Sequence, residues 1–126
     1  MKRTLTALTV AATMFASSAS AFDPDDLQKL KDTGDCVNCD LEGADLMIAN
    51  LTGANLGGAN LGGAYLAGAN LIAAILTDAY LIGANMNGAN LKAADLEGAD
   101  LFRTKMNGAT LCNTTMPDGS VFYSGC

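Results

Sequence analysis

The stretch GANLGGANLGGAYLAGANL, residues 53–71, places a leucine at every fifth position, a spacing that belongs to neither regular element. On an α-helix, residues five apart are rotated by about 140° and would scatter the leucines over every face. On a flat strand, an odd spacing sends successive leucines to opposite sides. All of them can be buried if the chain turns a corner after every five residues. Four corners then close a square coil, and coils stacked about 4.8 Å apart enclose a continuous apolar shaft.

The register runs far beyond this stretch. The central position is held by Leu41, Leu46, Leu51, Leu56, Leu61, Leu66, Leu71, Leu76, Leu81, Met86, Leu91, Leu96, Leu101, Met106 and Leu111. Two residues earlier stands alanine in thirteen of these fifteen pentads, with Cys39 and Thr104 the exceptions. Large and small inward positions therefore alternate, as a narrow shaft requires. The residue before the leucine is Asn six times and Asp four times, at Asp40, Asp45, Asp95 and Asp100. The two share a side-chain acceptor for local backbone, so their interchange argues for hydrogen bonding and not for charge. Gly fills nine of the fifteen positions two after the leucine, but Ile48 occupies another. A β-branched residue resists positive φ, so that corner is not expected to be left-handed throughout.

With fifteen tandem pentads following the pattern A-[DN]-L-x-x, ten of them with Asn or Asp at the second position, residues 39–113 resemble the pentapeptide-repeat family. The resemblance implies an all-β, right-handed quadrilateral β-helix with four pentads per coil, here just under four coils. Met116 and Val121 keep the spacing and would extend it into a fifth. Residues twenty apart then stack, so Leu51, Leu71 and Leu91 form one core column, with Leu71 among the most enclosed side chains.

The flanks divide the chain further. Met1, Lys2 and Arg3 precede an apolar run from Leu5 to Ala16, and Ala19-Ser20-Ala21 is an A-x-A cleavage site, so residues 1–21 read as a signal peptide. The run is too short to span a bilayer, which takes about 20 residues. Cleavage leaves a soluble chain of 105 residues with a net charge of −8 and no membrane span, placed in a periplasm, the outside medium or a thylakoid lumen. Residues 22–38 form an N-terminal cap. Asp23 is a helix N-cap, Pro24 suits the first position, Asp25 and Asp26 complement the dipole, and Gly34 is a stop. A helix over Pro24–Asp32 would lay Leu27 and Leu30 on the first coil. Residues 114–126 close the other end, with a turn at Pro117-Asp118-Gly119-Ser120.

The composition removes several chemistries. The chain has no histidine, which excludes Ser-His and Cys-His nucleophiles, His-ligated metals and His proton switches. Asp95, Glu97 and Asp100 are close in sequence but stand on outward positions, where a solvated face is the stronger reading. No lysine follows the Gly-Gly pairs at phosphate-loop spacing. No catalytic residue, metal or cofactor is expected. The family also includes members thought to imitate duplex DNA and bind a topoisomerase. From Leu46 to Ala94, however, this chain carries only Asp78 and Lys92 as charges, far below the density of a duplex. No nucleic-acid partner is expected either.

Cys36-Val37-Asn38-Cys39 is the one motif with reactive potential, as a redox pair, half a zinc site or a small disulfide. It follows a helix and enters a solenoid, without the βαβ context of a redox pair, and this favours the structural reading. Because Cys39 and Cys112 are separated by more than three coils, roughly 17 Å, the rod leaves one pairing: Cys36 with Cys39 and Cys112 with Cys126. Two function classes remain. One is an exported, non-enzymatic scaffold or interaction module, binding an unknown protein or itself, and the other is a thiol redox protein using Cys36 and Cys39. For the first, the outward column Glu42, Gly62, Ile82, Phe102 and, if the register persists, Phe122 sets apolar side chains in line, with Tyr80 beside Ile82.

Overall fold

The computed structural model describes residues 21–126; the signal peptide expected over residues 1–21 lies outside them except for Ala21. Thirteen parallel bridges, from Asp35↔Asn55 to Asp95↔Thr115, each join a residue to the one twenty positions on. Four pentads therefore make one coil of a four-sided solenoid. One pentad shows the whole scheme: Leu61 and Gly63 donate N–H to Tyr80 and Ile82 in the coil above (2.7 and 2.9 Å), and Asn60 donates to Cys39 below (2.8 Å). Ala64 N–H then returns to Leu61 C=O at 3.0 Å, closing a turn. Only one residue per pentad is paired on both of its sides in this way before the chain turns the next corner, so the coils contain isolated bridges instead of long strands. Every leucine, methionine and alanine of the two inward positions from Leu41 to Ala99 is buried, apart from Ala49, which is partly so.

The corners correct the expectation drawn from Ile48. Every pentad carries a positive φ two residues after the leucine, including Ile48 (59°), Ala73 (59°), Asp78 (57°), Ala93 (60°) and Arg103 (60°). Positive φ at the third residue of a hydrogen-bonded turn is the type II pattern. Residue preference yields here to the ladder, since relaxing one corner would put both neighbouring pentads out of register. At all ten Asn or Asp positions Oδ1 accepts the N–H of the residue two further on, at 3.0–3.3 Å. At Gly98 a second constraint joins the φ of 74°: an added Cβ would collide with the Asp78 carboxylate of the coil below.

The shaft is closed differently at its two ends. Helix α1, Pro24–Thr33, has Asp23 as N-cap and Gly34 in the left-handed region as C-cap, with Leu30 buried. It docks through backbone as well: Asp23 N–H donates to Asp40 C=O (3.0 Å), and Asp26 Oδ2 accepts the Asp40 N–H (2.8 Å). The ladder begins at Asp35, one pentad before the first leucine, because Cys36 takes the leucine position and Cys39 the alanine position. At the far end there is no fifth coil. Strand β1, Leu111–Thr115, pairs antiparallel with β2, Val121–Ser124. The chain reverses at Met116–Ser120, where the Met116 N–H donates to the Ser120 C=O at 2.7 Å. Asp118 accepts from the hydroxyl and then the N–H of Ser120, which together hold its carboxyl below the ordinary aspartate range. A fifth coil would carry Cys126 over Met106, whereas the reversal returns it to Cys112.

Two stability measurements follow. Leu71 is fully enclosed, so Leu71→Ala should cost about 2–5 kcal/mol in chemical unfolding, and a loss under 1 kcal/mol would contradict a packed shaft. Ile48 is 78% exposed at φ 59°, so Ile48→Gly should gain about 1 kcal/mol by relieving the left-handed corner; an unchanged or lowered midpoint would show that this corner carries no strain.

Candidate interaction surface

The residues with chemical potential are mostly occupied in building the rod. Asp95 and Asp100 use Oδ1 to hold the N–H groups of Glu97 and Phe102. Among the described residues no three potential metal ligands converge. Cys36 and Cys39 form a disulfide with Cα atoms 5.3 Å apart, both buried at the base of the shaft, with Cys36 Sγ against the Asp26 carbonyl of α1. Cys112 and Cys126 form the second, Cα–Cα 4.9 Å, which ties the chain end to β1. Redox exchange needs an accessible thiolate, and the Cys36–Cys39 sulfurs are covered.

The outward column is present in part. Glu42, Gly62, Ile82 and Phe102 follow one corner of the rod, each twenty residues from the next. Phe122 leaves it: it pairs opposite Thr114 in the closing hairpin, at the end of the shaft and on another side. That correction has the same cause as the missing fifth coil. Gly62 and Gly63 lack side chains, so the corner opens into a notch of about 530 Å³ bounded by Glu42, Asn60, Tyr80 and Ile82. Its lower wall is a carboxylate; its upper wall is aromatic and aliphatic. Tyr80 is 54% exposed and Ile82 42%. Above them Phe102 is exposed and carries the Arg103 guanidinium 5.3 Å from its ring centroid, within cation–π range.

Sequence reasoning missed two members of this surface. Tyr65 is half-exposed on the flat side next to the notch, and Arg103 tops the same corner. Both depart from the repeat, Tyr65 at an Asn/Asp position and Arg103 at a glycine position, and that departure was the available signal.

The family model for pentapeptide repeats matches the chain at residues 34–63, 49–88 and 79–116, in eight copies. The chain belongs to the pentapeptide-repeat family. Among solved structures, this pentapeptide-repeat chain is similar to HetL, a protein involved in heterocyst differentiation regulation in the cyanobacterium Nostoc sp. strain PCC 7120, with 39% identity and a TM-score of 0.54. That match covers 70% of this chain but 43% of HetL. A second Nostoc pentapeptide-repeat protein, alr5209, is 28% identical with a TM-score of 0.68, covering 79% of this chain and 83% of its own. No curated protein matches the chain in sequence.

Burial separates the two bridges in solution. With the native fold intact, mild reductant and an alkylating reagent should label Cys112 and Cys126 first, because β2 is exposed, and Cys36 and Cys39 only on unfolding. Peptide mapping reads the order, and early labelling of Cys36 would show that α1 does not shield it. Cys112→Ser with Cys126→Ser should cost about 3 kcal/mol for opening a loop of this length.

Proposed function

We propose that the chain is an exported, non-enzymatic interaction module, a right-handed pentapeptide solenoid whose docking surface is the corner bearing Tyr80, Ile82 and Phe102. The observation that carries this is the notch at Gly62 and Gly63, where exposed apolar side chains and a free carboxylate frame an opening in an otherwise regular wall. Contiguous exposed apolar area of this kind marks interaction sites. The acidic groups support the same reading, since Asp40, Asp45, Asp95 and Asp100 serve as turn acceptors and, among the described residues, no three acids or cysteines converge. Export rests on the sequence of residues 1–21 and on the fully bridged cysteines, which suit an oxidising compartment.

The redox reading is weakened by the buried position of Cys36 and Cys39. A DNA-mimic reading finds too few charges on the central coils, where Asp78 and Lys92 are the only ones between Leu46 and Ala94.

The test is capture of partners from the native envelope fraction by the tagged chain. Ile82→Glu places a charge on the upper wall of the notch without touching the shaft, so it should leave the circular dichroism and melting temperature unchanged. Captured material should fall at least tenfold. Equal capture by a folded Ile82→Glu variant would remove this corner as the docking surface.

A further inference from the structure

We propose that a second copy of this chain occupies this surface, packed antiparallel across the flat side that borders the notch. The inference deepens the docking-surface reading and rests on it. That side presents one residue per coil, in the order Asp45, Tyr65, Asn85, Lys105, and its corner adds Glu42, Gly62, Ile82 and Phe102 with Arg103. Acids thus stand at the N-terminal end of the surface and bases at the C-terminal end. None of Glu42, Asp45, Arg103 and Lys105 has an ion-pair partner within the described residues; Arg103 lies over the Phe102 ring.

A two-fold axis across the rod, midway between the coils of Gly62 and Ile82, turns this order onto itself. The first coil meets the fourth and the second meets the third. Asp45 then faces Lys105 of the other copy and Glu42 faces Arg103, each pair occurring twice. Ile82 of each copy enters the notch that Gly62 and Gly63 leave open in the other, and Tyr65 lies over Asn85. No like charges meet. A parallel arrangement would set Asp45 against Asp45, and the adjoining side would set Asp40 against Asp100, so sense and side are both selected.

The apolar contact is the attraction and the rim charges fix the register, since exposed ion pairs alone contribute little. One side of a rod four coils tall, about 20 Å at the inter-strand spacing, falls short of a standard interface. The dimer is therefore weak and salt-sensitive.

Sedimentation of the exported, oxidised chain from about 10 μM to about 1 mM tests it. The wild type should pass from monomer to dimer within that range. Asp45→Lys and Lys105→Asp should each weaken association at least tenfold, because each puts like charges across the two-fold, and the double variant should recover wild-type association. Only residues that meet across a self-contact rescue one another in this way. All three variants should keep the wild-type circular dichroism, which checks that each folds. A chain that stays monomeric throughout, a dimer indifferent to both single changes, or a double variant no better than the singles overturns the proposal. Monomeric behaviour together with partner capture that Ile82→Glu abolishes would remove the second copy while leaving the docking surface in place. Loss of both would remove both.

Discussion

Every other feature of this molecule depends on one requirement: the ladder N–H and C=O groups of each pentad must reach the chain about twenty residues away. A pentad has too few residues to form its own helix or hairpin, so its ladder bonds run entirely between coils. Those bonds fix which side chains point inward, and the inward ones must be leucine-sized and alanine-sized in turn for the four sides to meet. The same requirement explains the inward threonines. Thr104 and Thr114 replace alanine near the C-terminal end, and their hydroxyls donate to the carbonyls of Leu81 and Leu91 (2.7 and 2.6 Å), so neither leaves a polar group unsatisfied in the shaft.

The ladder also gives the rod a polarity. In the pentad at Leu61, the N–H groups of Leu61 and Gly63 and the C=O of Ala64 point toward the C-terminal end, while the C=O groups of Asn60 and Gly62 and the N–H of Asn60 point the other way. One end of a coil is rich in donors and the other in acceptors, so opposite ends fit each other and like ends do not. Stacked head to tail, copies would continue the ladder without limit, which is the hazard of an open edge. Helix α1 prevents this by lying across the acceptor-rich end and engaging both backbone groups of Asp40. The donor-rich end is left with the N–H groups of Leu101, Arg103, Met106 and Gly108 unpaired among the described residues, and another such end would oppose donor to donor. Association through a side, not an end, is what this arrangement permits.

Much of this was legible from the spacing of leucine and alanine, because a five-residue period has few physical solutions. The Asn/Asp interchange was legible too, as a shared acceptor. Three features were not. Ile48 argued against a left-handed corner because single-residue preference is a local cost of about 1–2 kcal/mol, and it loses to several ladder bonds that no single residue announces. The first pentad was hidden because Cys36 and Cys39 stand where leucine and alanine do elsewhere. Val121 kept the period by coincidence, while the nearby Pro-Asp-Gly-Ser turn and the position of Cys112 decided the path. Around the notch, the placement of Ile82, Phe102 and Tyr80 could be read from twenty-residue stacking. The notch could not, since it consists of side chains that Gly62 and Gly63 do not have.

What the inward columns fix, the outward ones leave free, and departures from the repeat are informative there. Five of the fifteen pentads lack Asn or Asp before the central residue: those with Tyr65, Ile75, Tyr80, Lys105 and Thr110. Each forgoes a turn hydrogen bond of the kind the other ten make, a contribution of about 0.5–1.5 kcal/mol. Tyr65, Tyr80 and Lys105 lie on the two sides that meet at the corner of Gly62 and Ile82. Ile75 and Thr110 lie on the remaining two sides, one on each. The array gives up local stability most densely around its notch, and the packing of the shaft itself does not account for that cost, which is why the proposed docking surface is placed there.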